Sequence, residues 1–327
     1  MRDARNAALR DAASAASGCR RKAEAAWRYS RMRNLPPVPP SSVVSISCVL
    51  LTVGDRPAEL RRAVSSVSAQ RDVNVEIVVV VNGAADVRVD GATVVVLGRN
   101  VGIPAGRNVG IAATTGALIC FLDDDGWLAD DDVLSGASRR FAADDRLGIL
   151  SLRLRDPLGR PGQRRHVPRL RVGDPGRSSA VTTFLGGAAV VRRSVFDQVG
   201  GFPEEFFFAH EELSVAWRAI DAGWRVRYDG QLAVFHPSQP ASRHPSFWYL
   251  QARNRVFLAR RHLPAPLAVV YVGLWIGVSL ARARSRLAVT RALRGFADGL
   301  RLPCGPRRPV SWVAVWRMTK AGRPPLL

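Results

Sequence analysis

The stretch Ala117-Leu118-Ile119-Cys120-Phe121-Leu122-Asp123-Asp124-Asp125-Gly126-Trp127 decides how this chain is read. Six consecutive apolar residues describe a strand buried on both faces, and three carboxylates follow where that strand ends. In an open α/β sheet, the carboxyl ends of strands are where ligands bind. Adjacent carboxylates repel, and a fold carries them with least strain when a hard cation or a set of donors neutralises them. A helix N-terminus also attracts acids, but Asp130, Asp131 and Asp132 suit that description better.

Upstream, Val43 to Thr52 reads as a first strand, and Gly54-Asp55-Arg56-Pro57 opens a helix. Asp55 is placed to cap that helix, Pro57 suits its first turn, and Leu60, Val64 and Val67 share one face. Val75–Val81 is a second apolar strand ending in Asn82-Gly83, and Thr93–Leu97 is a third. Continuous apolar strands of this kind predict a parallel sheet covered on both sides. Between the third strand and the fourth lies Gly98-Arg99-Asn100-Val101-Gly102-Ile103-Pro104-Ala105-Gly106-Arg107-Asn108-Val109-Gly110. Its glycines allow close backbone approach, and its Arg and Asn side chains donate well to phosphate or sugar oxygens. The first strand ends in Thr52-Val53-Gly54-Asp55, so the G-x-G-x-x-G turn of a dinucleotide-binding fold is missing.

A chain of 327 residues accommodates one large α/β domain with appendages. The net charge of +21 is unevenly spread: residues 1–40 contribute +6, residues 243–327 contribute +15, and the middle is neutral. Basic flanks around a neutral centre argue against a continuous nucleic-acid surface and suit segments lying on an anionic membrane. Cys19, Cys48, Cys120 and Cys304 lack metal-type or redox-type spacing. Cys48 and Cys120 fall in apolar runs as small buried hydrophobes, which points to a reducing compartment. The arginines near the N-terminus precede no apolar core of an export signal. Residues 1–34 suit either a basic amphipathic helix or a disordered tail, and Leu35-Pro36-Pro37-Val38-Pro39-Pro40 is a stiff linker. Residues 263–281 are uncharged and flanked by arginines, with Pro264 and Pro266 near their start. The usable helix is short for a span, so the expectation is a helix lying in or dipping into the inner leaflet, with a buried globular helix as the alternative.

Several blocks in fixed order carry a family resemblance. They are the first strand with its Asp-Arg-Pro helix start, Asn82-Gly83, the loop Asn100…Gly102…Arg107-Asn108, and Phe121-Leu122-Asp123-Asp124-Asp125. Further on come Gly186-Gly187 through Arg192-Arg193, Gly200-Gly201-Phe202-Pro203-Glu204-Glu205, His210-Glu211-Glu212…Trp217-Arg218…Gly223-Trp224, His236 and Arg253-Asn254. Over residues 43–260 the chain resembles family-2 glycosyltransferases of the GT-A fold, in particular the rhamnosyl- and galactofuranosyl-transferases of bacterial cell-surface polysaccharide. The resemblance implies a Rossmann-like, mainly parallel α/β sheet with flanking helices, plus basic helical N- and C-terminal flanks. It implies an inverting transfer of a sugar from a nucleotide diphosphate donor to a hydroxyl of a lipid-linked or polysaccharide acceptor.

By the same resemblance, Asp123, Asp125 and His236 hold a divalent cation, Mn²⁺ or Mg²⁺. Thr52, Asp55, Arg56, Asn82, Asn100, Arg107, Asp123 and Asp124 face the donor. Glu212 is the general base, and Glu211 positions the acceptor or its neighbours. The domain boundaries follow: a basic segment and linker over 1–40, the GT-A domain over 41–262, and a membrane-associating segment over 263–327. The protein is expected on the cytoplasmic side, at the inner face of the membrane, with no nucleic-acid partner.

Some positions depart from the family pattern. Val81 stands where an Asp often contacts the nucleobase, Ser214 replaces another common Asp, and Glu212 replaces the usual Asp of the acidic pair. The segment Arg153–Arg177 contains eight arginines and reads as a long mobile loop over the site, either suited to an acidic or pyrophosphate-bearing acceptor or merely solvated. A nucleotidyltransferase, which gives the Glu211-Glu212 block no role, and a non-catalytic membrane-anchored sugar-binding module are the alternatives.

Overall fold

The computed structural model describes residues 45–237 and 246–326; the expected N-terminal helix or tail lies outside them. The predicted strands form as β1 (Ser45–Thr52), β2 (Asn74–Val81), β3 (Thr93–Val96) and β4 (Leu118–Asp123). These four lie side by side in parallel, in the order β3-β2-β1-β4. The β1–β2 and β3–β4 crossovers are made by helices whose apolar stripes return them to the sheet, α1 (Pro57–Ser68) and α2 (Ile103–Ala112), while β2 passes to β3 through residues 82–92 without a helix.

Beyond β4 the sheet becomes mixed. It continues through β8 (Ala188–Arg192), β6 (Leu147–Arg155), β9 (Arg225–Phe235) and β5 (Trp127–Leu128), while β7 (Ser179–Ala180) pairs with β9. β8 runs antiparallel to both β4 and β6, and β6 and β9 run parallel. The sequence reading anticipated only the parallel half, because an apolar strand such as Ala188–Arg192 carries no mark of its direction.

Side chains of the central strands alternate between two cores, as the period of two requires. Cys48, Leu50, Cys120 and Leu122 pack with Leu60, Val64 and Val67 of α1 and Leu134 of α3 (Val133–Ala142). On the other face, Val49, Ile119 and Phe121 meet α2, α4 (Arg193–Val199), α5 (Glu211–Asp221) and α6 (Phe247–His262). Trp217, Tyr228 and Tyr271 are the largest aromatic groups sealed there. Cys48 and Cys120 are fully buried neighbours on β1 and β4, both free thiols.

Ser214 is also explained by this packing. It faces inward from α5 and hydrogen-bonds the buried His262 at the end of α6, at 2.8 Å. Burial, with Arg218 and Arg261 nearby, holds the His262 ring well below its ordinary pKa, so the pair is a neutral tie between helices.

The C-terminal flank folds as α7 (Ala265–Arg282), α8 (Arg286–Arg301) and α9 (Trp312–Lys320). α8 packs on α6 through Ala252, Val256, Ala292 and Phe296. In α7, Tyr271 alone is fully buried, while Val269 and Val270 are 74% and 54% exposed. The alternative of a buried globular helix therefore does not describe this segment: it lies against the body by one edge and leaves an apolar surface open.

Candidate active site

Parallel strands deliver the first group of site residues to one edge of the sheet. β1 and β4 are in register with Leu51 beside Asp123, and the Asn82 amide donates to the Thr52 carbonyl at 2.7 Å. The C-terminal ends of β1, β2 and β4 thus place Thr52, Asn82 and Asp123 side by side.

After Asp123 the chain turns, with the Gly126 amide donating to the Asp123 carbonyl, and the three carboxylates separate. Asp124 points into the protein, accepting from Thr52 Oγ1 at 2.6 Å and pairing with Arg56 at 2.8 Å. Burial pushes its carboxyl up to about 6, partly offset by the Thr52 hydroxyl and the Arg56 charge. Arg56 also pairs with Asp125.

His236, immediately after β9, arrives from the far side, with Nε2 3.1 Å from Asp125 and 3.8 Å from Asp123. Burial disfavours the charged imidazole, but the hydrogen bond to Asp125 and the two carboxylate charges raise its pKa on balance. For Asp125 burial is likewise outweighed, by His236 and Arg56, and its pKa is lowered.

Asp123, Asp125 and His236 offer ligand atoms that all lie within 4.8 Å of one another. Two carboxylates and one imidazole are a donor set that fits a divalent cation, and the Asp123 side chain, 40% exposed, leaves room for further oxygen ligands.

Asp55 does not cap α1. The N-cap position is Arg56, without a side-chain cap bond, and Asp55 is an exposed carboxylate 3.5 Å from the Arg56 guanidinium. Pro57, which lacks an N–H, removes one donor that a cap would have served.

The second group is tied to the first by Arg107, on α2. Its buried guanidinium lies 3.2 Å from Glu212, 3.4 Å from Glu211 and 3.6 Å from Asp123. Burial works against that charge, but the three carboxylates raise its pKa. Arg107, expected on the donor, therefore bridges the acid triple and the acidic pair.

The two glutamates differ. Glu211 is buried, its Oε2 has no hydrogen-bond partner, and burial together with the Glu212 charge pushes it up to about 8. Glu212 is partly open and faces the cavity.

Asn82 and Asn100 shape the loop between them. Asn82 accepts from the Val101 amide at 2.8 Å and donates to the Gly102 carbonyl at 3.1 Å, and Asn100 accepts from the Gly102 amide at 2.9 Å. Gly102 takes φ +89°, and a Cβ there would meet the Phe207 carbonyl at 2.6 Å. At Gly186 a Cβ would lie 2.2 Å from Glu212 Oε1, and at Gly187 2.0 Å from Asp123 Oδ2. The Gly186-Gly187 pair thus lets the backbone before β8 pass directly under both acid groups.

The segment leading into the acidic pair is strained. Phe207, Ala209 and His210, none of them glycine, hold φ values of 62°, 72° and 69°. Asn254, fully buried on α6, holds this turn by donating to the carbonyls of Phe206, Phe208 and Ala209 at 2.9, 2.7 and 2.9 Å. Arg253 adds contacts to the carbonyls of Glu205 and Phe206. Sequence reasoning flagged Arg253-Asn254 without a role, and no local pattern announces a clamp on a turn so far upstream.

The arginine-rich segment is not a merely solvated loop. Arg169 is buried and donates to the carbonyls of Val172, Asp174 and Arg177, and Arg160 pairs with Asp156 at 2.9 Å. His166 packs edge-on to His236, its pKa lowered to about 4 by burial and by Arg165 and His236. A cavity of about 790 Å³ is lined by Asp123, Glu212 and His236, by part of this segment, and by Trp275, Arg282 and Arg323.

Residues 48–200 match the family Glycosyl transferase family 2, a stretch that includes the acid triple and Arg107 and ends before Glu211. The chain is 36% identical over 115 residues to an N-acetylglucosaminyl-diphospho-decaprenol L-rhamnosyltransferase of Mycobacterium tuberculosis, covering 33% of this chain and 36% of that protein. It is 41% identical over 56 residues to the O-antigen chain rhamnosyltransferase WbaN of Salmonella anatum, 17% of this chain and 18% of that one. The matches thus span about a third or less of these relatives.

Among solved structures, TarS of S. aureus superposes with TM-score 0.56 at 16% identity, covering 77% of this chain and 80% of that one. A mannosyltransferase from Pyrobaculum calidifontis, in complex with GDP-Man and Mn²⁺, gives TM-score 0.50 at 16% identity over 94% of both chains. The fold is the GT-A glycosyltransferase fold.

Proposed function

We propose that this chain, whose residues 48–200 match the family Glycosyl transferase family 2, is a metal-dependent inverting glycosyltransferase. It moves a sugar from a nucleotide diphosphate donor to a hydroxyl of a lipid-linked or polysaccharide acceptor, at the inner face of the membrane. The observation that carries this reading is Arg107, which holds an accessible Glu212 opposite the Asp123, Asp125 and His236 cluster across one cavity.

Glu212 acts as general base: its carboxylate takes the proton of the acceptor hydroxyl as that oxygen bonds to the anomeric carbon. On the opposite side, the bond from the anomeric carbon to the diphosphate oxygen breaks, and the nucleoside diphosphate leaves with the electron pair. Glu211, kept protonated by burial, holds Arg107 and the helix start without adding a second charge. Arg107 lies 3.2 Å from Glu212 and fixes its distance from the donor side. A divalent cation held by Asp123, Asp125 and His236 supplies Lewis-acid stabilisation of the departing diphosphate when bound.

The rhamnosyltransferase activity of the mycobacterial relative supports a lipid-linked acceptor, and the open apolar surface of α7 supports a membrane-side location. The test is a thermal-shift panel of uridine, guanosine and deoxythymidine diphosphates with and without Mn²⁺ or Mg²⁺, on the wild type and Asp125→Ala. A metal-dependent rise with one nucleotide, absent in the variant, is expected. Equal shifts in the variant would refute the metal site.

A further inference from the structure

His210 occupies the N-cap of α5 without capping it. Side chains favoured at that position bond back to the first helix amides, whereas the His210 ring makes no such bond. Its backbone is left-handed, at φ 69°, a costly setting for a residue other than glycine, and the Asn254 clamp holds the turn that leads into it. What this setting secures is the ring's place on the cavity wall, which His210 lines together with Glu211, Glu212 and Gln251.

The two ring nitrogens are used differently. Gln251 of α6 bonds the ring through its side chain and its backbone, and both contacts favour protonation, so Gln251 accepts and a ring N–H donates. Burial, and then the charges of Arg255 and Arg323, outweigh these contacts and hold the pKa well below its ordinary value, so the ring is neutral. In a neutral imidazole one nitrogen donates and the other accepts. Nε2 is buried with no hydrogen-bond partner among the described residues, which leaves it as the accepting nitrogen. The neighbouring Glu211 is 2% exposed, and its Oε2 is likewise buried without a partner.

Two adjacent residues thus bring unmet polar atoms to the wall that also carries Glu212, and buried polar atoms are costly unless something meets them. The lone pair on Nε2 selects what that is. A phosphate or carboxylate oxygen is itself an acceptor and gains nothing there, whereas a hydroxyl donates one hydrogen bond and accepts others.

We propose that His210 is a specificity residue for the acceptor: its Nε2 accepts a hydrogen bond from a sugar hydroxyl other than the one that Glu212 deprotonates, and the Glu211 carboxyl meets the same sugar ring. The inference rests on the glycosyltransferase reading for calling that sugar the acceptor. Binding of a neutral, hydroxyl-bearing ring at His210 does not itself require transfer.

The test is NMR of the full chain with ¹⁵N-labelled histidine rings, alone and with the methyl glycosides of glucose, N-acetylglucosamine, galactose and mannose. His210→Asn identifies the His210 signals; it removes Nε2, keeps a donor for Gln251 and tolerates the left-handed backbone. The free ring is expected as the tautomer with a bare Nε2, and at least one glycoside should shift that nitrogen's resonance saturably. His210→Asn should weaken binding of that glycoside about three- to tenfold, the effect of one neutral hydrogen bond, and His210→Gln, which returns an acceptor near the place of Nε2, should recover most of it. One monodeoxy form of the same glycoside should bind the wild type about three- to tenfold more weakly than its parent, yet bind His210→Asn as well as the parent does.

A protonated Nε2 in the free neutral ring, a His210 signal that no glycoside moves, or the same deoxy losses in wild type and variant would each overturn the assignment. If His210→Asn melts far below the wild type, the tautomer and the response of the wild-type signal decide instead. Mn²⁺-dependent binding of a nucleoside diphosphate reports the transferase reading separately. Its presence in a chain whose His210 signal ignores every glycoside overturns this inference alone; its absence with the His210 response intact overturns the transferase reading and leaves a carbohydrate site.

Discussion

Replacing Asn254 with alanine removes the one amide that holds the turn before the acidic pair. An amide has two N–H donors, and Asn254 spends them on three carbonyls. Each hydrogen bond contributes about 1–1.5 kcal/mol, and buried carbonyls left without a donor add to the loss. The residues so restrained, Phe207, Ala209 and His210, each store about 1–3 kcal/mol in left-handed backbone, so the segment relaxes once it is released. A loss of about 3–4 kcal/mol follows from the lost bonds and the orphaned carbonyls. For a chain of this size that lowers Tm by about 5–10 °C.

The kinetic consequence should be selective. Glu211 and Glu212 start at the end of this turn, and a displacement of about 1 Å of a catalytic group costs about a hundredfold. We expect kcat to fall about ten- to a hundredfold while the donor KM changes little, because the acid triple hangs on β4 and not on α6. Asn254→Asp, which keeps the shape but presents an acceptor to three carbonyls, should be at least as damaging. Differential scanning fluorimetry and steady-state kinetics on both variants decide the matter. Unchanged kcat despite a large fall in Tm would show that the clamp serves packing alone, and an equal rise in donor KM would show that the turn belongs to the donor site.

Glu212→Gln should retain donor binding by calorimetry and lose roughly two to four orders of magnitude in turnover, as a missing general base does; a larger loss in Glu211→Gln would reverse the two roles. Glu211, raised to about 8 in the fold from an ordinary 4.5, binds a proton more tightly when folded, so its contribution to stability is complete below about pH 4.5 and declines as pH climbs towards 8. Melting curves of Glu211→Gln should therefore be flatter across that window than those of the wild type, and parallel curves would contradict the assignment. Gly187→Ala puts a methyl 2.0 Å from Asp123 Oδ2 and should abolish Mn²⁺-dependent nucleotide binding with circular dichroism unchanged; retained binding would show that the strand yields. Val269→Glu with Leu274→Glu should free the full chain from anionic liposomes in a sedimentation assay, since both residues lie on the exposed apolar surface of α7. Continued pelleting would assign attachment to the arginines instead.

Much of this arrangement was legible in the residues. The continuous apolar runs gave the parallel half of the sheet, because burial on both faces leaves no alternation to disguise it. Asp123 at the end of β4 followed from the same run. His236 was reached only through resemblance, since nothing between Asp125 and β9 signals that the two meet. Arg56 and Arg107 were assigned to the donor through the family resemblance. Which carboxylates they serve depends on crossings that spacing does not encode. Asp55 was misplaced because an Asp before Pro usually caps a helix, whereas here the backbone at Arg56 takes the cap position. The left-handed run at Phe207–His210 was invisible, because none of its residues is the glycine that ordinarily marks such a backbone.

β9 is the last strand of the sheet in sequence, yet it sits between β6 and β5, and its Phe235 pairs with Trp127 just beyond the acid triple. A ribosome-bound chain that has emerged only through β8 therefore carries Asp123, Asp124 and Asp125 with Arg56 within reach and His236 still unmade. In that interval β5 has no partner strand, and the triple is fastened on one side only. A nascent or proteolysed chain ending before β9 would keep the parallel half of the sheet while presenting an unfinished, strongly acidic rim, a ready target for quality-control factors that sense exposed charge and unpaired edges.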